Sequence, residues 1–125
     1  MSRDYKDLKI WQKADSLARK IYRLTRSFPQ EEQFNLTSQI SRASLSIPTN
    51  IVEGFYRGRK EFLHFLVMAM ASLKETEYLL SIAMDRKYIN QVDGSELLST
   101  MDELSRMLAV FMKSLTSSPA NPLTS

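Results

Sequence analysis

Apolar residues return every third or fourth position along almost the whole chain, and no stretch alternates with the two-residue period of a strand. Leu8, Trp11, Ala14, Leu17, Ala18, Ile21, Leu24 and Phe28 form one such stripe. It predicts a first helix from about Leu8 to Ser27, ended by Pro29, which pushes Phe28 out of the helical region. A second helix is predicted from about Gln33 to Phe55 on Leu36, Ile40, Ala43, Ile47 and Ile51. That stripe stays in phase across Pro48, so one helix kinked at the proline is expected rather than two. The third, about Arg59 to Lys87, carries Phe62, Leu66, Ala69, Leu73, Thr76, Leu80 and Ala83 on one face. Further apolar residues stand outside that face, among them Met68, Leu79 and Ile82. A helix apolar on more than one side is buried on more than one side, so these three are expected to form an interface between copies of the chain. For the fourth helix, Asp93 is the predicted cap, Glu96 completes a capping box and Val92 staples to Leu97. Leu97, Met101, Leu104, Leu108, Phe111 and Leu115 then follow the spacing of a bundle seam.

The short link bracketed by Gly54 and Gly58 implies antiparallel neighbours. The chain is therefore expected to be all-α, an antiparallel up-down four-helix bundle. It forms a single domain over residues 1–115, with a disordered tail at 116–125. Its 125 residues suit one domain, and the 43% apolar and 25% charged fractions are those of an ordinary globular protein. The absence of cysteine excludes disulfides and thiolate metal sites and fits a reducing, cytoplasmic setting. No apolar run reaches the roughly 18 residues of a membrane span, and no secretory signal is visible.

Charge changes the picture more than composition does. The net charge of +3 is modest, but residues 1–26 hold eight Lys or Arg against three Asp. Lys9, Lys13, Arg19, Lys20, Arg23 and Arg26 project opposite the apolar stripe of the first helix, while Arg57, Arg59 and Lys60 cluster at the link between the second and third. Such cations pair with phosphates without reading sequence. The candidate nucleic-acid-binding residues are accordingly Lys9, Lys13, Lys20, Arg23, Arg57, Arg59 and Lys60. Catalysis is not expected: there is no Cys and a single histidine, His64, for any triad. Glu61 and His64 match one Glu-x-x-His element of a di-iron bundle site, which needs two such elements and two further Glu, but the chain has no second histidine, so neither metal nor cofactor is expected. Phosphate-cradling glycine loops are absent, and Met84, Met101, Met107, Trp11 and Tyr22 fall on or beside core stripes, which reads as packing.

Three stretches, D-L-K-I-W-Q-K-A (7–14), Q-I-S-R-A-S-L-S-I-P-T-N-I-V-E-G (39–54) and R-K-E-F-L-H-F-L (59–66), resemble the bacterial four-helix-bundle family encoded by intervening sequences in 23S ribosomal RNA genes. The resemblance covers roughly residues 5–115 and implies an up-down bundle that often assembles as a ring-shaped pentamer. It also implies kinship with the accessory proteins of diversity-generating retroelements, basic pentamers that bind nucleic acid and a reverse transcriptase. The motif positions here are Trp11, Gln39, Arg42, Ser46, Pro48, Asn50, Glu53 and Gly54, of which Gln39, Arg42, Asn50 and Glu53 are expected to form a buried polar network. Asn35 and Ser41 stand where the family often has Gly and Arg. The expected partners are other copies of the chain together with RNA or DNA; the alternative is a scaffold for a protein partner.

Overall fold

In a computed structural model describing residues 4–116, four helices follow one another in the order α1 (Lys9–Leu24), α2 (Leu36–Phe55), α3 (Arg59–Asp85) and α4 (Gln91–Thr116). Short 3-10 turns at Tyr5–Asp7, Thr25–Ser27 and Gln30–Glu32 accompany the four helices, and no strand occurs among the described residues. Consecutive helices are neighbours, and α4 returns beside α1, which closes the bundle. One core fills the centre, with Leu17, Ile21, Ile40, Ile47, Ile51, Leu66, Leu73, Leu80, Leu97, Met101, Leu104 and Leu108 essentially sealed from water. Of the tail expected at 116–125, Thr116 is the last residue of α4 and the remainder lies outside the described residues.

α2 and α3 make the most intimate pair. Gly54 explains why: a Cβ there would stand 2.7 Å from Phe65 Cβ and 2.8 Å from Phe62 Cδ1. Only a residue without a side chain lets the two helices approach this closely at their shared end. α2 passes through Pro48 as one helix rather than two, with Ile47, Pro48 and Ile51 all buried.

Three helix ends differ from the sequence reading. α2 begins at Leu36 rather than near Gln33, because Gln30–Glu32 forms its own turn and Glu32 reaches forward to accept from the Leu36 amide at 3.4 Å. α3 stops at Asp85, where Tyr88 N–H bonds to Ala83 O and Lys87 N–H to Met84 O, each at 2.9 Å. These are the paired bonds of a Schellman motif, with Lys87 in the left-handed position (φ 62°) that usually takes glycine. α4 begins at Gln91, so the predicted capping box is displaced. Asn90 is the capping residue: its Oδ1 accepts the Asp93 amide at 2.8 Å, and its own amide donates to Asp93 Oδ2 at 3.0 Å. Val92, expected to staple the helix, is 68% exposed. Gly94 lies inside the first turn, against the Met84 side chain, where it supplies clearance between α3 and α4.

Candidate nucleic-acid interface

The seven expected cations fall into two groups with different surroundings. Lys13 and Lys20 stand on the edge of α1 that faces α4, where Lys13 Nζ lies 3.0 Å from Glu103 Oε1 and Lys20 Nζ 3.4 Å from Glu96 Oε1. The projection of the first helix gave their outward direction but not the glutamates of α4 that meet them. Arg19 is likewise held by Asp15, 3.0 Å away. Lys9 and Arg23 remain exposed on α1 without an ion-pair partner.

The second group sits at the end of the bundle where α2 passes into α3. Arg57 is held in place: its Nε donates to Glu53 O at 3.1 Å, Nη1 lies 3.7 Å from Glu61 Oε1, and the guanidinium stands 4.9 Å from the centre of the Phe65 ring. Arg59 and Lys60 beside it are exposed and carry no ion pair. The start of α1 and the finish of α4 come to the same end, and a line of aromatic rings joins all four helices there. Trp11 meets Tyr5 at 4.9 Å, Tyr5 meets Tyr56 at 6.5 Å and Tyr56 meets Phe55 at 4.8 Å. Phe55 then meets Phe62 at 6.1 Å, and Phe62 meets Phe111 at 5.7 Å. Every contact is edge-to-face, the arrangement favoured by the ring quadrupoles. Lys6 Nζ lies 5.8 Å above Tyr5, and Tyr56 is 65% exposed. The sequence reading took in the three cations of this end but not its rings, since their approach depends on the antiparallel pairing of residues far apart in the chain.

Several expected placements are corrected. Leu79 is only 5% exposed and belongs to the protomer's own core, because its position turns it toward Leu36 rather than to solvent. Of the expected interface trio, Ile82 is half-buried against the core and Met68 alone is exposed. Val67 and Tyr78, on the outer side of α3, are more open than any of the three. Tyr22 is 63% exposed rather than packed: it lies on the α1 edge nearest α2 and shares a groove with Arg23, Arg42 and Leu45.

The expected buried network in the motif does not form. Gln39, Arg42 and Glu53 are exposed and Asn50 is half-buried. The polar residues around Pro48 instead close on the helix's own carbonyls, with Ser46 donating to Arg42 O at 2.9 Å, Thr49 to Leu45 O at 2.8 Å and Asn50 to Ser46 O at 2.8 Å.

His64 is exposed, and among the described residues no three His, Asp or Glu side chains converge in a way that would hold a metal ion. The ionisable pair with a clear perturbation lies at the opposite end of the bundle. There the Tyr88 hydroxyl donates to Glu32 Oε2 at 2.8 Å, tying the α1–α2 link to the α3–α4 link. The hydrogen bond from Tyr88 holds the Glu32 carboxyl below its ordinary value, assisted by the Leu36 amide, Arg86 and Asn35 against the opposing effect of burial. The same bond and burial raise the Tyr88 phenol.

Among the described residues, no helix is long and apolar enough to cross a membrane. A comparison with curated proteins finds no match. Among solved structures, the chain is similar to a protein of unknown function from the S23 ribosomal protein family of Bacteroides thetaiotaomicron VPI-5482. The two share 26% identity with a TM-score of 0.76, over 83% of this chain and 95% of that one. Neither that name nor the family's describes an enzyme. Residues 6–110 match the family described as 23S rRNA-intervening sequence protein, and the chain therefore belongs to that family.

Proposed function

We propose that this protein is a non-catalytic bundle, working in the cytoplasm, that binds the backbone of RNA or DNA at the end where α2 meets α3. The observation that carries this reading is the contrast in pairing. Lys13 and Lys20 are occupied by Glu103 and Glu96, whereas Arg59 and Lys60 stand exposed and unpaired beside Arg57. A cation already neutralised gains little from a phosphate, and an exposed one releases a condensed counterion when it binds. Lys9, on the α4 side of α1, and Arg23, on its α2 side, are separate exposed cations outside this end; Lys13 and Lys20 face α4.

Titration of duplex RNA and duplex DNA from about 50 to 200 mM salt tests the reading. Steep weakening with salt, reduced in slope by about two when Arg59→Gln and Lys60→Gln are combined, supports it. Absence of binding at the lowest salt refutes it.

A second reading, a ring of copies that presents a scaffold to a protein partner, is favoured by Val67, Met68 and Tyr78 on the outer side of α3. Five is the subunit number that the family resemblance implies. Its test is Val67→Glu combined with Tyr78→Glu, which should reduce the mass measured by sedimentation if that face joins copies. Leu79→Asp is unsuitable, since it buries a charge in the protomer.

A further inference from the structure

We infer that the α2–α3 end selects unpaired nucleotides, stacking a base on Tyr56 while Arg59 and Lys60 hold the flanking phosphates. This rests on the nucleic-acid reading of the same end and names the form of substrate it takes. Tyr56 is the most open ring in the aromatic line, and it leans on two others: Phe55 meets it edge-to-face at 4.8 Å and Tyr5 at 6.5 Å. A ring braced on its neighbours has less freedom to lose when a base is laid on it, which is the advantage of a preorganised platform. Its chain neighbour Arg57 is pinned by Glu53 O, Glu61 and the Phe65 ring, so the phosphate contacts fall to Arg59 and Lys60.

An exposed aromatic ring beside unpaired cations matches the two needs of a single strand, a π-face for a base and positive charge for the backbone. A duplex satisfies only the second, because its bases are already stacked on one another. Inorganic phosphate or an acidic peptide would use the cations and leave Tyr56 without a role. The stacking is indifferent to base identity, so a preference for strand state, not for sequence, is expected.

The test compares a fluorescein-labelled oligothymidylate of about 12 nucleotides, within the usual range of single-strand site sizes, with a blunt duplex of equal length. Tyr56→Ala should weaken oligothymidylate binding about tenfold, leave the duplex affinity unchanged and leave the salt slope unchanged. Tyr56→Phe should retain wild-type affinity, since stacking uses the ring and not the hydroxyl. Far-ultraviolet circular dichroism and the emission of Trp11, the single tryptophan, establish that each variant is folded. If Tyr56→Ala weakens both probes equally or neither, or if Tyr56→Phe fails as Tyr56→Ala does, stacking is overturned while backbone binding stands. If the wild-type protein binds neither probe at low salt, the backbone reading falls and this inference with it.

Discussion

The seam between α2 and α3 and the seam between α1 and α4 hold the same bundle together by different means. The first depends on shape: a Cβ on Gly54 would stand only 3.3 Å from the Phe62 Cα on α3. The second is edged by charge, with Lys13 against Glu103 and Lys20 against Glu96. Exposed ion pairs of this kind contribute about 0–1 kcal/mol each, while tight apolar contact is intolerant of small changes in volume. The difference teaches that the cations of this chain are not one population. Those of the α1–α4 seam are paired with glutamates of α4, and Arg59 and Lys60 beyond the α2–α3 seam are exposed and carry no ion pair.

The largest expected effect breaks the tight seam. Leu66→Ala, in the sealed part of α3, should cost about 2–5 kcal/mol in urea unfolding monitored by circular dichroism. Gly54→Ala should cost about 1–3 kcal/mol by the same measurement, because the new methyl meets Phe65 and Phe62 at distances neither can accept without shifting. A loss below half a kcal/mol for Gly54→Ala would show that the α2–α3 approach is slack. The charged seam should behave otherwise. Lys13→Gln with Lys20→Gln should cost about 1 kcal/mol or less, and the loss should shrink further in high salt.

The smallest effect belongs to the far end of the bundle and depends on pH. Glu32 is depressed in the folded protein, so its contribution to stability is present above its ordinary value of 4.5 and is lost as pH falls through the folded value. Tyr88 is raised, so its contribution is present below its ordinary value of 10.0 and is lost as pH rises through the folded value. The stability difference between the wild type and Tyr88→Phe should therefore be full at neutral pH and fade at both extremes. A difference that grows on acidification would contradict the assignment.

Much of the fold is legible in the sequence because helical periodicity is a local property. The core stripes of all four helices, the continuity of α2 through Pro48 and the role of Gly54 in an antiparallel link could be read from spacing. The start of α4 could not. Asp93 with Glu96 and Asn90 with Asp93 offer overlapping capping patterns, and the tertiary packing of Gly94 against Met84 accompanies the earlier one. The candidate site was legible only in part. Sequence gives the direction of Lys13 and Lys20 on their own helix but not the glutamates that a distant helix brings to them. For the same reason Leu79 looks like a surplus apolar residue until α2 covers it, and Tyr56 looks like an ordinary link residue until Tyr5 and Phe55 are seen beside its ring.

The most direct test of the central claim sets two double variants side by side in salt-titrated binding to RNA. Arg59→Gln with Lys60→Gln should weaken binding and lower the salt slope by about two, while Lys13→Gln with Lys20→Gln should leave both affinity and slope close to wild type. Equal losses from the two pairs, or a larger loss from the α1 pair, would contradict the division of the cations into those that hold the bundle and those that meet the ligand.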